Sequence, residues 1–248
     1  MSDRALRPYG WRAKLGVIVP PTNSVNEGEW SAMLPDGVTM HAARMPLHAD
    51  TVSEEGRRHL LADVKKAAAD VAAAGVDVVA YGCTAGSLIL PLDWLTGFMT
   101  RETGVPAVAT GPAIVLALRA MGARRVAVAT PYHDALNYHE EEFFAQCGLE
   151  VLSIKGLGIG GGGVHEYRQI AALAPERILE HARASMAAGA EAMVLSCTDL
   201  PTLKLHEALE REFGIPVVSS NQATFWAALR AAGLAEPVAG WGQLLQRH

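Results

Sequence analysis

Two cysteines in this chain, Cys83 and Cys197, are each followed by threonine and each close a short apolar run. A thiol at the carboxyl end of a parallel strand sits where ligands bind, because the loops of such a sheet converge on a crevice there. Backbone N–H groups in the following turn can stabilise a thiolate or hold a carboxylate. Two thiols facing one cleft could take a proton from one side of a small molecule and return it from the other. Alternatively, one could add to a double bond while its partner protonates the adjacent carbon. Neither route requires a cofactor. A single cysteine at a buried strand end is ordinarily an inert small hydrophobe. Two at equivalent places, each backed by threonine, are harder to attribute to packing. Cys147 lies inside a helical pattern without a counterpart and reads as structural.

The equivalence comes from an internal repeat. Arg101-Glu102-Thr103-Gly104-Val105-Pro106-Ala107-Val108 returns 110 residues later as Arg211-Glu212-Phe213-Gly214-Ile215-Pro216-Val217-Val218. The stretch from Ala74 to Thr84 is matched from Ala188 to Thr198, so that Cys83 aligns with Cys197. Leu15-Gly16-Val17-Ile18-Val19-Pro20 resembles Val126-Ala127-Val128-Ala129-Thr130-Pro131. The order strand-Pro, strand-Cys-Thr, Gly-hydrophobic-Pro strand occurs twice, which implies two pseudo-symmetric lobes. Approximate lobe limits are 1–110 plus 221–248 for the first and 111–220 for the second.

Other polar residues at strand ends are candidate substrate contacts. Asn23 follows the first strand and Tyr132 follows its repeat partner; an amide and a phenol can each hydrogen-bond a carboxylate. Asn23 reads equally well as a turn or helix N-cap residue, and Asn221 reads as an N-cap. The glycine-rich run 156–163 lacks the following Lys-Ser/Thr of a phosphate loop and an acidic ribose partner about 20 residues on, where Glu176 and Glu180 look like exposed helix residues. A mobile lid beside the cleft fits it better. His133 and His139 do not share a helix face, and no metal site is expected.

The elements that must position these residues follow an α/β pattern. Strands are expected at 15–19, 38–42, 76–81, 107–109, 126–129, 150–154, 192–196 and 217–219, and helices at 53–74, 111–121, 134–147, 174–188 and 222–232. Gly75, Gly122, Gly148, Gly189 and Gly233 stand where helix-terminating glycines belong. Parallel βαβ units in two Rossmann-like lobes, with the site in the cleft between them, are the expected architecture. Half of the 248 residues are hydrophobic, enough for a substantial core. A net charge of −5 with scattered Lys and Arg gives no basic stripe for nucleic acid. The N-terminal stretch Met1 to Arg12 has no apolar leader segment, and no apolar run reaches membrane-spanning length, so a cytoplasmic protein without membrane contact is expected. Three widely spaced cysteines argue for reduced thiols rather than a disulfide framework.

The motifs Gly16-Val17-Ile18-Val19-Pro20-Pro21-Thr22-Asn23, Tyr81-Gly82-Cys83-Thr84, Ala129-Thr130-Pro131-Tyr132, Ser196-Cys197-Thr198 and Gly214-Ile215-Pro216-Val217-Val218-Ser219 together resemble the aspartate/glutamate racemase superfamily. The similar branch contains maleate cis-trans isomerase and arylmalonate decarboxylase, and the match runs almost end to end. Resemblance to the isomerase implies that Cys83 attacks an alkene carbon of a cis-diacid, giving a succinyl-type adduct, with Cys197 as acid and base on the neighbouring carbon. It further implies that Asn23 and Tyr132 hold carboxylate oxygens, that Thr84, Ser196 and Thr198 lie near the thiols, and that the chain forms a homodimer. Arylmalonate decarboxylase has glycine at the first cysteine position, so Cys83 argues against that activity. Cys197-Thr198-Asp199-Leu200-Pro201 resembles the second motif of the racemases, but their first, Cys-Asn-Thr, is replaced by Cys83-Thr84-Ala85. Isomerisation of maleate or a related small dicarboxylate is therefore the leading expectation. Racemisation of an acidic amino acid or similar α-substituted acid comes second, and non-catalytic carboxylate binding is the alternative from another class.

Overall fold

The computed structural model describes residues 7–48, 50–51 and 53–248; residues 1–6 of the polar N-terminal stretch lie outside it. Strands β1 (Ala13–Val19), β2 (Val38–Arg44), β3 (Val78–Tyr81) and β4 (Ala107–Ala109) form one sheet in the order β2-β1-β3-β4. Strands β5 (Arg125–Ala129), β6 (Glu150–Lys155), β7 (Ala192–Leu195) and β8 (Val217–Ser219) form a second in the order β6-β5-β7-β8. All of these pairings are parallel. The two orders are the same once β5 is set on β1, so the sequence repeat is a repeat of topology.

The strands alternate between two cores, which explains why they read as unbroken apolar runs. Leu15, Val17 and Val19 of β1, Val78 and Ala80 of β3, Val126 and Val128 of β5, and Ala192 and Val194 of β7 join one central cluster. Their neighbours in sequence face outward. Ile18, Val79 and Tyr81 pack beneath the outer helices of the first sheet, and Ala127, Ala129, Met193 and Leu195 beneath those of the second. Burying each Val, Leu or Ile side chain contributes about 1.5–3 kcal/mol, so both faces of every central strand are held.

The outer layers are α2 (Glu54–Ala72), capped by the Ser53 hydroxyl, with α4 (Trp94–Thr103) on the first sheet, and α7 (Pro175–Ser185) with α8 (His206–Phe213) on the second. Between the sheets lie α5 (Thr110–Ala120), which follows β4, and α9 (Ser220–Ala231), which follows β8. These two pack against one another, and α9 also reaches back onto β3 and β4. Ile114 and Leu118 of α5 and Phe225 and Leu229 of α9 fill the centre of the shared core. The remaining helices are α1 (Asn26–Met33), α3 (Thr84–Ser87), α6 (Asp134–Gln146) and α10 (Gln243–Arg247).

The expected strands are all present, within a few residues of the expected ends. Two local expectations are corrected. Helix α7 stops at Ser185, where Met186 turns extended, so Gly189 lies beyond its end instead of capping it. Ser219, not Asn221, is the N-cap of α9, its hydroxyl accepting the Gln222 N–H; Asn221 is thereby released for other contacts. Among the described residues no helix is long and apolar enough to cross a membrane.

Candidate active site

A cleft of about 740 Å³ opens at the carboxyl ends of both sheets. Its lining includes Asn23, Cys83 and Thr84 from the first lobe and Tyr132, Cys197 and Thr198 from the second. Ser196 is the one candidate residue not brought to it. That side chain is fully buried on the far side of the strand end, beside the Glu140 carboxyl of α6.

Cys83 leaves β3 and leads into the short helix α3. Its sulfur accepts the Gly86 N–H at 3.4 Å. The Tyr81 hydroxyl lies against the same sulfur, because residues i and i+2 at a strand end point to one side. Burial pushes the Cys83 thiol up, and the Gly86 N–H and the Tyr81 phenol oppose that shift.

Cys197 is held in a mirrored way. Its sulfur accepts the Asp199 N–H at 3.4 Å and has the Tyr132 phenol as a second donor. Burial nevertheless pushes this thiol up to about 12, and the Asp199 carboxylate adds to the rise. No carboxylate is among the groups shifting Cys83, whose repeat has Ala85 where the second lobe has Asp199. Cys197 thus stays protonated while Cys83 is the easier of the pair to ionise. Cys197 has φ of 115°, and among the described residues it is the one non-glycine with positive φ. Such strain persists only where the surroundings enforce it. Here the Cys197 N–H donates to the Ser220 hydroxyl at 2.9 Å, and Ser220 in turn accepts the Thr84 hydroxyl at 2.9 Å.

Polar groups beneath the thiols join the lobes. The Asn23 amide does both things its type allows: its oxygen accepts the Val25 and Asn26 N–H groups, and its nitrogen donates to the Thr198 hydroxyl at 3.1 Å. Thr198 donates to the Gly82 carbonyl at 3.1 Å. Asp199 accepts the Ser24 N–H at 2.9 Å, and burial lifts its carboxyl to about 6. Glu29 of α1 accepts the Thr202 and Leu203 N–H groups and the Asn221 amide, each at 2.7 Å. Asn26 donates to Asn221 at 2.8 Å. The two catalytic candidates are therefore carried on a pre-organised, hydrogen-bonded base.

Above the thiols, the glycine-rich segment leads into a 3-10 helix (Val164–Ala172) whose Val164, Tyr167 and Ile170 form part of the wall. Glu166 pins the segment by accepting the Gly160 and Gly162 N–H groups at 2.8 and 3.1 Å. His133 and His139 lie at the rim, and among the described residues no group of three or more His, Cys, Asp or Glu side chains is gathered as a metal site. Sequence reasoning missed Tyr81, Asp199, Glu29 and Glu140. The strand period, placing Tyr81 on the same side as Cys83, was the available signal for the first.

Known proteins are similar to this chain along almost its whole length. The family model described as arylmalonate decarboxylase matches residues 15–245. An arylmalonate decarboxylase of Bordetella bronchiseptica is 33% identical over 238 residues, covering 93% of this chain and 95% of that protein. A maleate isomerase of Nocardia farcinica is 28% identical over 247 residues, covering 94% and 96%. The solved structure of a Nocardia farcinica maleate cis-trans isomerase, a cysteine-to-serine mutant with a covalently bound succinylcysteine intermediate, superposes with a TM-score of 0.84 at 26% identity, covering 95% of this chain and 99% of that one.

Proposed function

We propose that this chain, which belongs to the arylmalonate decarboxylase family, is a two-thiol isomerase that converts maleate or a closely related cis-unsaturated diacid to its trans form. The observation that carries the reading is the unequal pair of thiols in one cleft. Each has a phenol and an N–H as donors, but burial raises Cys197 to about 12, and the Asp199 carboxylate, which Cys83 lacks, adds to that rise.

The reaction follows from that inequality. The Cys83 thiolate forms a C–S bond to one alkene carbon, and the displaced π pair takes the proton of the Cys197 thiol. The former double bond is then single and rotates. The Cys197 thiolate removes the proton, the C–H pair restores the double bond, and the C–S bond breaks to return Cys83. Charge and protons balance over the cycle. Asn23 keeps a second amide N–H for a substrate carboxylate, Thr84, Thr198 and Tyr132 line the same cleft, and Arg57 stands at its mouth. The covalent succinylcysteine in the Nocardia farcinica structure supports an adduct of this kind. Cys83 itself weighs against simple decarboxylation, which needs one proton donor and no nucleophile.

Incubation with maleate under reducing conditions, followed by proton NMR, tests the reading. Fumarate is the expected product. No fumarate from protein whose thiols titrate as reduced overturns it.

A further inference from the structure

The Cys83 half of the site contains a part that the reaction needs. A buried thiol must ionise before it can add to an alkene, and burial opposes ionisation. At Cys83 no cation is among the groups that shift it, so neutral donors must stabilise the sulfur anion. One is the Gly86 N–H, 3.4 Å from the sulfur. The other candidate is Tyr81, buried at 4% exposure, with its ring in the outer core and its hydroxyl at the cleft.

The fit between Tyr81 and Gly86 shows that this placement is built in. A Cβ added at Gly86 would stand 2.4 Å from the Tyr81 hydroxyl oxygen and 3.1 Å from the ring carbons behind it. The absence of a side chain at 86 is what lets the phenol reach over the turn and meet the sulfur. The second lobe uses the same two kinds of donor at Cys197, but draws its phenol from Tyr132, on a different strand end. Tyr81 is therefore no relic of the repeat, because its counterpart in the second lobe is Leu195.

We infer that Tyr81 is a catalytic residue: its phenol O–H and the Gly86 N–H together form the donor pair that stabilises the Cys83 thiolate, so the segment from Tyr81 to Gly86 is a self-contained nucleophile. The inference rests on Cys83 being the attacking thiol, and its test does not depend on the substrate.

In a Cys147→Ser background, alkylation of Cys83 and of Cys197 by iodoacetamide is followed separately by peptide mass spectrometry across pH 6–10. Tyr81→Phe, which keeps the ring, is expected to slow Cys83 alkylation at pH 8 by about tenfold and to move its midpoint up by about one unit, leaving Cys197 where it was. Turnover should show a matching fall in kcat with little change in KM. Gly86→Ala, which pushes the phenol away from outside, should reproduce the Cys83 shift. An unchanged Cys83 profile in Tyr81→Phe overturns the inference, as does an equal shift at both cysteines, which would mark a general disturbance. Failure of maleate turnover with the Cys83 shift intact would overturn the proposed reaction and leave the role of Tyr81 standing.

Discussion

Glu29 and Glu140 stand 111 residues apart, at the same place in the two halves of the chain, yet only Glu29 has hydrogen-bond partners. Each lies one helical turn beyond an asparagine, Asn26 or Asn137, and each is buried. Glu29 reaches into the opposite lobe and clamps the segment after Cys197. For Glu140 the corresponding partner is gone, because Asn221 is matched by Gly111 in the repeat. Its two carboxyl oxygens are without partners, the Ser196 hydroxyl being near enough only to soften the effect of burial.

That orphaned acid makes stability depend on pH. Burial lifts the Glu140 carboxyl from 4.5 to about 7. A folded-state value above the unfolded one means that the neutral form is favoured in the fold, so stability is full below about pH 4.5 and declines as pH rises towards 7. Replacing Glu140 by Gln removes this decline. Urea denaturation should show the variant gaining on the parent by about 2–3 kcal/mol between pH 5 and pH 8. Parallel pH profiles for the two proteins would refute it.

Loss of the satisfied partner should act in the opposite direction. Glu29→Ala leaves the Thr202 and Leu203 N–H groups and one N–H of the Asn221 amide unpaired in the interior, and a loss of about 3–5 kcal/mol in chemical denaturation is expected. Since those groups fix one lobe against the other below the thiols, kcat should fall as well. A variant as stable as the parent contradicts the clamp.

Asp199 adds to what burial does at Cys197. Asp199→Asn removes the negative charge beside Cys197 while keeping an acceptor for the Ser24 N–H. Cys197 alkylation at pH 9 should accelerate about three- to tenfold, with Cys83 much less affected. Equal rates in parent and variant at Cys197 would remove Asp199 from the account.

The two thiols should fail differently. Cys197→Ser keeps the nucleophile but weakens the acid. Turnover should drop by about a thousandfold, and a diacid adduct should be found by mass spectrometry on the peptide bearing Cys83. Cys83→Ser should give no adduct. An adduct on Cys197 in that second variant would reverse the assigned roles.

Much of the fold was legible in the sequence because its central strands are buried on both faces, which writes each one as a continuous apolar run between turn residues. Helix α1 was not legible for the opposite reason. Its inward side carries Asn26 and Glu29, which face the other lobe, so no apolar stripe marks it. The thiols were legible through the repeat, and Asn23 was legible as two things at once, a helix-starting turn and a cross-lobe donor. The family resemblance implied Ser196 near the thiols, but neighbours along a strand end point to opposite sides, and this one faces Glu140. The contacts of Asp199 and Glu29 join residues more than 170 positions apart, and no local pattern records them.

Helix α9 comes after all eight strands in the chain, yet it completes the packing around β3 and β4 of the first half. During synthesis the first sheet must therefore wait, with Val78, Ala80 and Leu118 incompletely covered, until residues 220–231 have left the ribosome. The order of emergence makes the second half a template that closes the first, and an interrupted translation product that stops after β8 is expected to be a substrate for chaperones and proteases.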